Sequence, residues 1–214
     1  MTEPLIDGYT YADAKCGHMH RLLVPALIQE LQKLRRTPST AWPVCDLGCG
    51  NGSVARALTN AGYDVTGCDP SESGIAEALK AHPDLKLSVG SGYDDLASKH
   101  GHFPVAYALE VIEHVYDPRT VVRRVHDLLE PGGHFILSTP YHGYLKNLML
   151  ALTGKMDSHF TALWDHGHIK FWSKRTLSIL LQEAGFEVVQ FRRLGRIPPL
   201  GDDHDDGCEE EVSH

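Results

Sequence analysis

Glu110, Glu113 and His114 fall within the run Leu109-Glu110-Val111-Ile112-Glu113-His114-Val115. If a helical turn opens there, they stand at i, i+3 and i+4 and share one face. Two carboxylates and an imidazole converging on one point form a candidate divalent-metal site. The oxygen ligands suit magnesium or manganese, and the imidazole extends the choice to iron, cobalt or zinc. Other roles stay open for the same residues: Glu113 as a solvated helix carboxylate, and His114 as a hydrogen-bonded structural histidine.

A second stretch, Val44-Cys45-Asp46-Leu47-Gly48-Cys49-Gly50-Asn51-Gly52, has the form of a buried strand that ends in a turn of alternating glycines. Absent Cβ atoms let such a backbone approach a ligand closely and adopt positive φ. Asp69 closes the next apolar run, placed to accept hydrogen bonds from two ribose hydroxyls. The carboxylate ahead of the glycines would repel a pyrophosphate and attract a cationic amino-acid moiety. Cys45, Cys49 and Cys68 read as small buried side chains.

With these residues the chain resembles the class I S-adenosylmethionine-dependent methyltransferases over about residues 40–195. The resemblance implies a cofactor-binding set of Asp46, Gly48, Cys49, Gly50, Asp69 and Pro70, with Ser91, Gly92 and Tyr93 flanking the adenine and Glu110 lining the crevice. S-adenosylhomocysteine would be the product. The Glu-x-x-Glu-His string is similar to the metal-binding motif of small-RNA 3′-terminal 2′-O-methyltransferases, and also occurs in the ubiquinone-pathway O-methyltransferases. The RNA family completes its site with a histidine from a His-x-His segment running on to a Trp. Here Asp165-His166-Gly167-His168-Ile169-Lys170-Phe171-Trp172 offers the match, which implies Glu110, Glu113, His114 and His168 as the metal set, with His166 competing with His168. A metal lowers the pKa of a bound hydroxyl and orients it. The metal-free alternative uses His114 or His168 as general base.

Such residues need a scaffold, and the chain spells one out. Apolar runs at Val44–Leu47, Asp64–Cys68, Lys86–Val89, Pro104–Leu109, His134–Ser138 and Glu187–Arg192 are the expected strands. Helical patterns at Ser53–Ala61, Ser71–Ala81, Pro118–Leu129 and Lys174–Ala184 separate most of them, and Leu22–Leu34 forms an earlier helix. The alternation predicts an α/β fold: a Rossmann-like, doubly wound, mostly parallel sheet with helices on both faces. Ligand loops then lie at the carboxyl ends of the strands. Residues 1–40 read as a helical lid, 41–195 as the methyltransferase domain, 141–172 as a substrate-side insertion and 196–214 as an acidic, disordered tail. Tyr9, Tyr11, His18 and His20 are placed to close over the cofactor. The antiparallel seventh strand of the resembled family is missing, because Pro198, Pro199 and the acids that follow cannot make a central strand. An exposed edge near Glu187–Arg192 would favour a homodimer.

The 214 residues carry a formal charge of −8 with 14 histidines, but seven acids lie within 202–211. Outside that stretch the chain is near neutral, without the basic footprint of a protein that lives on long nucleic acid. Five cysteines without a CxxC pair argue against a disulfide scaffold or zinc ribbon. No apolar run is long enough to span a membrane, and Met1 to Thr10 lacks a signal-peptide pattern, so the expected location is the cytoplasm. Leu145 to Leu152, Phe160, Leu163 and Trp164 make an apolar, aromatic patch suited to a phenolic or other hydroxyl-bearing small molecule. The leucines 145, 148 and 152 also fit a helix packed on the sheet. The reading is O-methylation of a small molecule. Methylation of an RNA 3′ end and cofactor binding without turnover are the alternatives.

Overall fold

The computed structural model describes residues 9–35, 42–160, 162–164 and 167–194. Five parallel strands, β1 (Trp42–Leu47), β2 (Tyr63–Asp69), β3 (Lys86–Val89), β4 (Phe103–Leu109) and β5 (Leu129–Ser138), pair in the order β3-β2-β1-β4-β5. The order reverses between β1 and β4, and that switch point opens a crevice at the strands' carboxyl ends. This is the expected doubly wound sheet.

Its inward side chains alternate with the strand period. On one face Val44, Val65, Val105 and Tyr107 meet α1 (His20–Leu34) through Leu27 and Leu31, and α2 (Ser53–Asn60) through Leu58; α3 (Glu72–Ala81) adds Ile75 and Ala78. On the other, Cys45, Leu47, Ala106 and Ala108 meet α5 (Pro118–Leu128) through Val121, Val125 and Leu128. The short α4 (Leu96–His100), which the sequence pattern did not reveal, adds Leu96 to that face. Side-chain caps set several of the helix starts. Ser71 accepts from the Gly74 N–H, Asp117 from Thr120, and Ser173 from Thr176 at the start of α8 (Lys174–Glu183).

Gly52 shows how tightly this scaffold is drawn. Its φ is +72°, and a Cβ there would stand 2.8 Å from both Ala78 Cβ and Leu87 Cδ1. Gly52→Ala is expected to cost about 2–4 kcal/mol, from left-handed strain plus overpacking. A urea titration showing an unchanged midpoint would refute that.

The sixth strand expected at Glu187–Arg192 does not form: that stretch has no ladder to β5. Val188 packs against the α8 cluster while Val189 stays 81% exposed. The cause is the missing neighbour. An extended segment becomes a strand only when another strand takes up its backbone groups, and none follows among the described residues. Side chains hold it instead: Gln190 Nε2 donates to Glu30 on α1 at 2.9 Å, and Arg192 to Glu30 and Gln29 at 3.1 and 2.8 Å. The acidic-tail assignment and His166 lie outside the described residues.

Candidate active site

The glycine turn follows β1 and is pinned to the end of β2, where the Cys68 carbonyl accepts from both the Gly48 and Cys49 N–H (2.8 and 3.1 Å). Asp69 then ties two loops together. One carboxylate oxygen accepts from the Gly50 N–H and the other from Ser71, each at 2.8 Å. Each oxygen keeps a lone pair for a further donor. Asp46, 2% exposed, is pushed up to about 7, chiefly by burial and less by the charge of Asp69, with the nearby Tyr107 hydroxyl opposing the shift. Its Oδ2 has no hydrogen-bond partner among the described residues. Beyond β3, the Ser91 N–H donates to Asp94, and the Tyr93 hydroxyl accepts from the Asp117 N–H at 3.1 Å. Ser91, Gly92 and Tyr93 thus form a half-buried ledge against the start of α5, while Pro70 is exposed.

The second constellation follows β4. It is a tight turn rather than a helix, closed by the His114 N–H donating to the Val111 carbonyl at 2.9 Å. Glu110 enters it with φ +56°, rare for a residue with a side chain, and its carboxylate accepts from Ser138 Oγ at 2.6 Å. Glu113, 1% exposed, has neither carboxylate oxygen hydrogen-bonded among the described residues. Burial, then the neighbouring Glu110 charge, raises it to about 8. Ligand atoms of Glu113, His114 and His168 lie within 4.8 Å of one another. Glu110, bound to Ser138, stands outside that group and acts on it through charge.

His168 arrives from distant sequence because its segment is sewn to the turn. Ile169 and Lys170 N–H both donate to the Glu113 carbonyl (2.9 and 3.0 Å), and Trp172 Nε1 reaches the Ile112 carbonyl at 3.3 Å. The His114 and His168 rings meet edge-on at 4.9 Å. Burial first, then His114, lowers the His168 pKa, so its imidazole is neutral at neutral pH. His142, 8% exposed and lowered to about 4 mainly by burial, packs with His159, Phe160 and Phe171 beside this cluster.

A methyltransferase-domain family matches the chain over residues 17–191. The chain belongs to the class I S-adenosylmethionine-dependent methyltransferases. It is 30% identical over 215 residues to the ubiquinone biosynthesis O-methyltransferase of Ralstonia nicotianae, covering 90% of each protein. A namesake from Pseudomonas aeruginosa is 32% identical over 151 residues, covering 68% of this chain and 64% of that protein. Among solved structures, an Archaeoglobus fulgidus SAM-dependent methyltransferase shares the fold with a TM-score of 0.59 at 16% identity, over 79% of this chain and 72% of that one.

The residues present suit the cofactor of this methyltransferase family. Asp46 offers an unmet, buried anionic oxygen for an ammonium group, and Asp69 has lone pairs to spare for ribose hydroxyls. Beyond β5, α6 (Tyr144–Leu152) does not pack its leucines on the sheet: Leu145, Leu148 and Leu152 are 74%, 38% and 72% exposed. The short α7 (Met156–Phe160) follows, and the loop after it exposes Leu163 and Trp164. Sequence reasoning missed Ser138, whose bond to Glu110 spans 28 residues, and missed the neutral state of His142. Only the fold reveals either.

Proposed function

We propose that this methyltransferase transfers the methyl group to a hydroxyl oxygen of a small phenolic or similar molecule, with Glu113, His114 and His168 holding a divalent ion. The observation that carries the reading is the buried Glu113 carboxylate, with neither oxygen hydrogen-bonded among the described residues, meeting two imidazoles at the carboxyl end of β4. The names of the relatives at about 30% identity agree with oxygen as the acceptor atom. S-adenosylmethionine supplies the methyl, and a magnesium or manganese ion here would acidify the acceptor hydroxyl. The chain's own part is to hold the ion and orient that hydroxyl. As the oxygen–carbon bond forms and the sulfur–carbon bond breaks, the hydroxyl proton leaves to solvent, or to His168 or His114 if no ion is held, and S-adenosylhomocysteine is left. The described residues of 141–172 supply the acceptor wall, where the His142 and Phe171 rings meet edge-on at 4.8 Å.

An acceptor panel with and without chelator tests this. Product from a phenol or catechol, lost with chelator and restored by manganese, is the expected result. Labelled methyl found only on RNA 3′ ends would move the substrate to nucleic acid. Cofactor uptake with no S-adenosylhomocysteine from any acceptor would leave a binding protein. The reading includes a cytoplasmic location, in line with there being no helix among the described residues long and apolar enough to cross a membrane. It also includes self-association along the open β5 edge, which light scattering returning only the monomer mass would remove.

A further inference from the structure

The segment ahead of α1 makes contacts that packing alone does not require. The Tyr11 ring lies between two glycines: a Cβ on Gly50 would stand 2.5 Å from its hydroxyl, and one on Gly74 would stand 2.9 Å from its Cδ2. Gly50 belongs to the turn after β1 and Gly74 to the first turn of α3, so the ring bridges both loops of the cofactor cradle. Hydrogen bonds fasten the same segment to the same two loops. Asn51 Nδ2 donates to the Asp13 and Lys15 carbonyls at 2.9 and 2.8 Å, and Ser53 Oγ meets His20 Nδ1 at 3.1 Å. From the other loop, Ser71 Oγ donates to the Tyr9 carbonyl at 2.6 Å, while the Tyr11 N–H donates to Ser73 Oγ at 3.2 Å. Two of these anchors, Asn51 and Ser71, directly follow Gly50 and Pro70 of the expected cofactor set.

The phenol itself is held as a donor. Burial first, then Asp69 and, further down, Asp46 raise its pKa well above the ordinary range, so it keeps its hydrogen throughout the working pH range. An uncharged O–H held over Gly50, within the electrostatic reach of Asp69, suits the polar groups of a cofactor seated between Asp46 and Asp69.

We infer that Tyr11 is a cofactor-binding residue, its hydroxyl donating to the bound cofactor, and that residues 9–20 are a strap which retains the cofactor and lifts for its exchange. This rests on the cofactor reading of the glycine turn and adds a residue outside the family's motif. It also assigns the bonds from Asn51 a role in retention.

The experiment compares the wild-type chain with Tyr11→Phe and Asn51→Ala, using S-adenosylhomocysteine as probe. Calorimetry gives the affinity, stopped-flow displacement the dissociation rate, and hydrogen exchange the protection of residues 9–19. Tyr11→Phe keeps the ring and removes one hydrogen bond, so dissociation should quicken about 3–10-fold with little change in association. Asn51→Ala frees two carbonyls, and the strap amides should then lose the protection that the probe confers on the wild type. Melting curves confirm that both variants fold. If the wild type binds the probe but neither variant alters dissociation, and strap exchange ignores the probe, the inference is overturned while the cofactor reading stands. If the wild type takes up no probe, both fall.

Discussion

Glu113→Ala is expected to lower methyl transfer by at least about 100-fold while leaving S-adenosylmethionine affinity within about twofold of the wild type. The split follows from position. Glu113 belongs to the turn after β4 and meets His114 and His168, whereas the cofactor cradle is built from the loops after β1 and β2. Removing the carboxyl takes its ligand oxygens from the cluster and leaves Asp46 and Asp69 untouched. His114→Ala is expected to behave alike, and both should abolish manganese uptake measured by calorimetry. Parallel loss of cofactor affinity in either variant would mean that the turn is an architectural part of the cradle, and the proposed division of labour would fail.

Asp46→Asn should separate stability from binding. The Asp46 carboxyl is raised by burial from its ordinary value to about 7. A raised acid binds its proton more tightly folded than unfolded, so its contribution favours folding below about pH 4 and is lost as pH climbs to about 7. At pH 8 the cofactor-free wild type therefore carries a buried anion whose Oδ2 has no hydrogen-bond partner among the described residues. The asparagine removes that charge at nearly constant shape, and the cofactor-free variant should gain about 1–3 kcal/mol at pH 8 and nothing measurable at pH 4. On the proposed pairing of Asp46 with the cofactor ammonium, that group loses its counter-charge in the same step, and affinity should fall about 100-fold. Urea titrations at the two pH values, with calorimetry at pH 8, read both effects. A variant less stable at pH 8 than the wild type would show that the charge is already satisfied.

The five strands were readable because each is a short apolar run between turn residues. β5 was read as starting at His134, whereas pairing begins at Leu129 and continues past Pro131-Gly132-Gly133, a sequence that usually ends a strand. Glu187–Arg192 shows the opposite error. Its valines and phenylalanine suit a strand, but strand formation depends on a neighbour, and local pattern carries no record of one. At the site, Asp46, Asp69 and Glu113 stood out by type and spacing. Their protonation did not, because it depends on burial and on charges contributed by other loops. Glu110 was expected to share a helix face with Glu113. Its left-handed backbone and its bond to Ser138 turn it to a different partner, and neither is visible in a string of residues.

Glu113 serves the site twice, once through its carboxylate and once through the carbonyl that receives Ile169 and Lys170. The second service is independent of residue type at that position. Descendants of this enzyme can therefore exchange the acid for another side chain and still present His168 at the same place, so a lineage can trial new chemistry here without first rebuilding its scaffold.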